Sequence, residues 1–278
     1  FLTKILTPKL STSLDYAWKG NIVFNNVPSA TNFSLAVRRV GPGFMSLAAP
    51  NVKQDQFQYD INFDQKFVDD KITIKTFYKV YNDNLIDWKQ YTTKTTSYGI
   101  NLGFYFPDIP FFQISYSPFL QSDNNVIAEN KIENGLDLFS LTTGYTYGLS
   151  SASASTTLSF TGQWQSSKVG IIESKTSNKS YTLNQNLSFE FPLALSLSLS
   201  TTQSKIYDAT SNVTDFDLNG NYQLSEMISA KLGGTISKEE NLTKKTVLYF
   251  GSNISLSQWL RFELQGNISN YQDLSAVK

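Results

Sequence analysis

The sequence predicts an all-β protein, a single up-and-down antiparallel barrel of about 14 strands, within a range of about 12 to 16. Three observations predict it. Apolar and polar residues alternate with period two along most of the chain. Short turns follow longer polar connections in regular succession. No stretch repeats apolar residues at i, i+3, i+4 and i+7, the mark of an amphipathic helix.

The first fifty residues are the least regular. Leu14, Tyr16 and Trp18 alternate, as do Phe33, Leu35 and Val37, enough for two strands. Pro28, Gly41-Pro-Gly and Pro50 mark loops there. From Phe57 the pattern is clean. Phe57, Tyr59, Ile61 and Phe63 oppose Gln58, Asp60, Asn62 and Asp64. Ile72, Ile74, Tyr78 and Val80 oppose Thr73, Lys75 and Lys79. Tyr98, Ile100, Leu102, Phe104 and Phe106 oppose Ser97, Gly99, Asn101 and Gly103. Later, Leu183, Leu187, Phe189 and Phe191 oppose Asn184, Asn186, Ser188 and Glu190, and Leu195, Leu197 and Leu199 alternate with serines. Phe216, Leu218, Tyr222 and Leu224 oppose Asp215, Asp217, Asn219 and Asn221. Leu260, Phe262, Leu264 and Ile268 oppose Arg261, Glu263, Gln265 and Asn267.

Tight turns are expected at Phe67-Val-Asp-Asp-Lys, Phe106-Pro-Asp-Ile-Pro, Leu149-Ser-Ser-Ala, Phe191-Pro-Leu, Leu224-Ser-Glu-Met and Leu256-Ser-Gln-Trp. Longer connections are expected at Asn82 to Lys94, Ser122 to Asn134, Val169 to Asn178 and Asp208 to Asn212; that near Glu239 to Thr243 is short. No linker divides residues 1–278, so a single barrel domain is expected, with 1–52 supplying partial strands or continuing a region before it.

Alternation alone also fits a soluble sandwich. Strand length argues for lipid. The strands run about 10 to 14 residues, where sandwich strands average about 5 or 6 and a tilted membrane strand needs about 9 to 11. Aromatics gather at strand ends, as at a membrane boundary: Phe106, Phe111, Phe112, Phe189, Phe191 and Trp259 by short turns, and Tyr81, Trp88 and Trp164 nearer long loops. The chain is 14% aromatic and only 17% charged. Globular domains carry about 25% charged residues, so much of the polar face here is uncharged Ser, Thr, Asn and Gln. A closed barrel would leave no open edge in lipid, with its polar face enclosing water.

The architecture resembles bacterial outer-membrane β-barrel proteins. The segment Val40-Gly-Pro-Gly-Phe-Met-Ser-Leu, then Asp55, then Tyr81-Asn-Asp-Asn-Leu, is similar to barrels of the Bacteroidota and Chlorobiota lineage. That resemblance implies an outer-membrane location in a Gram-negative cell and a role in transport or assembly. Gly266 to Tyr271 resembles the terminal strand signal of such barrels, although Asp273 to Lys278 follow it. The start, Phe1-Leu-Thr-Lys, reads like the middle of a strand, so the chain is expected to be incomplete there.

The function expected is a passive, porin-like channel for small solutes. Candidates to line its lumen are Asp60, Asn62, Asp64, Lys75, Lys79, Asp215, Asp217, Lys231, Arg261 and Glu263. Such charges set ion selectivity or merely neutralise one another. Candidates to face lipid are Phe104, Phe106, Phe112, Phe189, Phe191, Leu197, Trp259 and Phe262. The expected partner is membrane lipid, with other outer-membrane subunits or periplasmic proteins as further candidates. A non-conducting anchor of a larger surface or secretion complex is the alternative, and an all-β adhesin the second.

No enzyme is expected. The chain has no Cys and no His, which removes thiolate and Ser-His-Asp chemistry and the commonest metal ligand. Asp215/Asp217 and Glu239/Glu240 are paired carboxylates, but two acids at i, i+2, as in the first pair, merely share a strand face. Calcium at Asp83, Asp87 or Asp123 lacks EF-hand spacing; solvated loop acids are the simpler reading. Asn-x-Ser/Thr triplets, as at Asn178 and Asn186, arise automatically from the alternation. Gly41-Pro-Gly lacks the spacing of a phosphate loop. Net charge is zero and basic residues cluster only in pairs such as Arg38-Arg39 and Lys244-Lys245, so no nucleic acid is expected. No cofactor and no metal is expected.

Overall fold

The structure is a computed structural model describing residues 16–44, 54–85, 90–207, 209–240, 242–255 and 260–274. Strands β1 to β7 are Ala17–Asn26, Thr31–Val40, Gln56–Phe67, Ile72–Asp83, Thr93–Phe104, Phe111–Asp123 and Ile132–Leu149. Strands β8 to β14 are Ala152–Val169, Ile172–Phe189, Leu193–Ile206, Ala209–Gln223, Ile228–Glu239, Thr243–Ser255 and Arg261–Asp273. All 14 join one sheet in sequence order, each antiparallel to the next. β1 and β14 end that sheet, and no β1–β14 ladder is among the described pairings.

The described residues form no dry core. Val40, Val80 and Ala154 are the buried hydrophobic residues among those described. Phe104 and Leu197 are half-buried in one sheet layer and Phe262 is 54% exposed, so two stacked sheets are excluded. The ladder satisfies the backbone, and one face is left apolar and open: Leu158 is 51%, Leu248 57% and Ile268 68% exposed.

At one end, the connections are residues 27–30, 68–71, 105–110, 150–151, 190–192 and 224–227, close to the expected turns. At the other end, 41–55, 84–92 and 124–131 are long. The expected long connection Val169 to Asn178 is strand instead. β7, β8 and β9 each run 18 residues, and Gly170-Ile171 turns the chain. Backbone pairing needs no apolar side chains, so the hairpin continues through polar sequence beyond the apolar band. The same holds for β10 and β11, which reach Ile206 and begin at Ala209. Gly170 has φ +59, and an added Cβ there would collide with the Glu129 backbone, so only glycine fits without strain.

Carboxylates organise the long-loop end. Asp55, 2% exposed, accepts the backbone N–H of Asn84 at 3.1 Å and of Leu85 at 2.8 Å. Asn84 donates to the Tyr91 carbonyl at 3.2 Å. Asp55 also donates its backbone N–H to the Gly41 carbonyl at 3.2 Å, so Gly41, Asp55 and Asn84 meet at one rim. Asp83 accepts the Thr93 N–H, and Asp123 accepts those of Asn125 and Ile132. These two calcium candidates thus cap loops, and the described residues hold no cluster of three or more potential acidic or imidazole ligands. Beside them, the Glu133 carboxylate 2.8 Å away holds the Lys131 ammonium above the ordinary lysine range. Leu14, Asp87, Trp88 and Trp259 lie outside the described residues.

Candidate functional site

The site is the polar face of the sheet. One rung crosses all 14 strands: Asn25, Asn32, Asp64, Lys75, Asn101, Ser115, Ser140, Thr161, Ser180, Thr202, Val213, Glu239, Thr243 and Asp273. Residues two apart along a strand share its face. Asp60, Asn62, Lys79, Asp215, Asp217, Lys231, Arg261 and Glu263 are therefore on the same side as Asp64 and Lys75. Phe104, Phe112, Phe189, Leu197 and Phe262 take the opposite side. Phe106 and Phe191 lie in turns, just past β5 and β9.

The first charged group assembles as its spacing suggested. Asp60 is directly opposite Lys79 and Asp64 opposite Lys75. Their ion pairs span 3.7 and 3.8 Å. Gln58 donates to the second oxygen of Asp60 at 2.8 Å, and Asn62 donates to Ser34 at 3.2 Å. The lysines are over half exposed, so these pairs brace the wall only weakly.

The second group does not assemble the same way. Asp217 is opposite Thr235 and accepts its hydroxyl, and Asp215 accepts from Ser200. Lys231 is opposite Asn221, two polar-face rungs from Asp217. Arg261 donates to Ser255 at 3.4 Å, and Glu263 accepts from Gln265. Glu239 and Glu240 accept from Ser211 and Asn212.

Between the charged groups, the polar face of β8 carries Ser153, Ser155, Thr157, Ser159, Thr161 and Gln163. Hydroxyls meet across strands, as at Ser115 and Ser140, 2.7 Å apart. Two troughs indent this face. One, of 570 Å³, is lined by Asp64, Lys75, Phe77 and Asn101; the other, of 480 Å³, by Asn186, Asn219, Lys231 and Tyr249.

Among the aromatic rings on the polar face are Phe77 and Tyr249, which the alternation did not single out, and Phe111, expected at the membrane boundary. Phe77, Phe111 and Tyr249 each lie over a glycine on a neighbouring strand. A Cβ at Gly99 would stand 2.5 Å from the Phe77 ring, one at Gly144 2.7 Å from Phe111, and one at Gly233 2.5 Å from Tyr249. The missing side chain lets each ring lie flat on the sheet and cover exposed backbone. The available signal was a glycine at a polar-face position, but the partner's identity depends on register.

No family model and no curated protein matches the chain. Solved structures do. The ferric-catecholate import receptor Fiu of E. coli K12, in its open form, matches with TM-score 0.55 at 8% identity, over 93% of this chain and 58% of that one. The ferric preacinetobactin receptor BauA of Acinetobacter baumannii gives 0.48 at 11% identity, over 92% of this chain and 52% of that one. The alcaligin outer-membrane receptor FauA of Bordetella pertussis gives 0.38 at 10% identity, over 93% and 61%. The chain thus spans somewhat over half of each of these receptors. Its fold is that of the outer-membrane β-barrel.

Proposed function

We propose that the chain forms barrel wall in a bacterial outer membrane, with its polar face lining a hydrated path for small solutes. The observation that carries this reading is the complete rung: one register places a polar side chain on the same face of every strand but β11, where Val213 stands, while the other face exposes leucines and aromatics. The apolar band has membrane dimensions. On β7 its outward positions run from Phe139 to Leu149, close to the roughly 9 to 11 residues of a tilted spanning strand. The path discriminates by width and charge, through Ser, Thr and Asn hydroxyl and amide groups, flat rings and the Asp60–Lys79 and Asp64–Lys75 pairs. The likeness of residues 40–47, 55 and 81–85 to barrels of the Bacteroidota and Chlorobiota lineage supports such an origin.

Refolding into detergent, with migration compared before and after boiling, tests the barrel. Conductance in a planar bilayer tests the path. A heat-modifiable barrel that conducts nothing overturns the open path. The second reading is then a lumen closed by another polypeptide; it is favoured by the fold likeness to a protein named as an import receptor.

A further inference from the structure

The outward, mostly apolar face changes character toward the long-loop end of β7 to β10. Its last apolar level is aromatic: Phe139 and Phe160 have ring centroids 6.0 Å apart, and Phe160 and Tyr181 4.9 Å. From the Phe139 rung onward the same face carries lysines in three successive rungs. Phe139, Gly162, Lys179 and Gln203 make the first; Asp137, Trp164, Ser177 and Lys205 the second; Gly135, Ser166 and Lys175 the third. Successive rungs on one face are about 7 Å apart along the strand, so the backbone positions of Lys179, Lys205 and Lys175 share one face within about 14 Å along the strand. A depression of 390 Å³ opens over the second and third of these rungs, lined by Trp164, Lys175, Ser177, Lys205, Tyr207 and Asp137, with Lys179 one rung outside it.

The acids nearby are partly engaged. Glu173 pairs with Lys175 at 2.9 Å, whereas Asp137 accepts the neutral Tyr116 hydroxyl at 2.8 Å and keeps its negative charge beside Lys205. Trp164 leans over Gly162, toward the aromatic level. The indole and Tyr181 are amphipathic side chains suited to a membrane interface. Cations just beyond such a belt, facing outward, stand at the depth of lipid headgroups.

We propose that Lys179, Lys205 and Lys175 seat the phosphate of an anionic lipid headgroup, with Trp164 and Tyr181 beside its glycerol and acyl region. This rests on the outward face meeting lipid, as in the reading above. Lys175 already shares its charge with Glu173, so Lys179 and Lys205 carry most of the attraction, about fivefold each and roughly 25-fold together.

The test is lipid retention by the full chain refolded with dioleoyl phosphatidylglycerol or dioleoyl phosphatidylcholine, measured by native mass spectrometry. Expected is preferential retention of phosphatidylglycerol, weakened roughly 25-fold by K179Q/K205Q and restored by K179R/K205R. Millimolar inorganic phosphate should not displace it. Equal retention by the wild type and K179Q/K205Q, both heat-modifiable, overturns the headgroup site and leaves the barrel standing. Full displacement by inorganic phosphate overturns the lipid assignment in favour of a free-anion site. A chain that never becomes heat-modifiable overturns the barrel and this site together.

Discussion

Neutralising the lysines of the first charged group should turn a balanced wall into a cation-preferring one. In K75Q/K79Q, Asp64 and Asp60 keep their carboxylates but lose their partners at 3.8 and 3.7 Å. Both carboxyl groups are on the polar face, and their side chains are 30% and 25% exposed. A cation passing at about 8 Å in water gains roughly 0.5 kcal/mol from each carboxylate, about 1 kcal/mol from both, and an anion loses as much, so the cation over anion preference rises by about 2 kcal/mol, or roughly 30-fold. Stability should change little, by about 0 to 1 kcal/mol, because the lost pairs are screened. The assay is the reversal potential in a planar bilayer under a salt gradient, at low and high ionic strength. The shift should shrink as salt rises. An unchanged reversal potential in a conducting, heat-modifiable variant would remove these residues from the conducting surface. A shift toward anions would contradict the electrostatics altogether.

Three other outcomes follow from the packing. G144V should lower unfolding stability by about 1 to 3 kcal/mol, read from the urea midpoint; its Cβ would meet the Phe111 ring at 2.7 Å and the Thr156 carbonyl at 3.0 Å. D55A should cost about 1 to 3 kcal/mol locally and expose residues 84–92 to protease, since it strips the acceptor from two backbone N–H groups; unchanged cleavage would show that the loops hold without it. In the membrane-inserted protein, amides of β1 and β14 should exchange about as slowly as those of β8, because lipid forces every strand edge to be paired; fast exchange would place these edges in water.

The alternation of small polar and large apolar residues was sufficient to specify strands, their faces and their approximate ends. Phe57 to Asp64 already contains the rule, because a strand places neighbours on opposite sides whatever it pairs with. The turns at 67–71 and 149–152 were legible for the same local reason. The extent of the β8–β9 hairpin was not. Its upper half is polar on both faces apart from Trp164, Val169 and Ile172, so periodicity there carries little apolar signal, and only the ladder shows that Lys175 and Lys179 are in strand.

The sequence by itself determined that one face of each strand is wet and the other greasy, and that Asp60 and Lys79 could meet if the intervening turn were tight. The tertiary structure decided which rungs line up across all 14 strands. Register is a property of pairs of strands, set by turn geometry and by the fit of rings over glycines such as Gly99 and Gly233. That is why Asp64 faces Lys75 while Asp217 faces a threonine, and why three lysines far apart in local pattern share one face beside one aromatic belt.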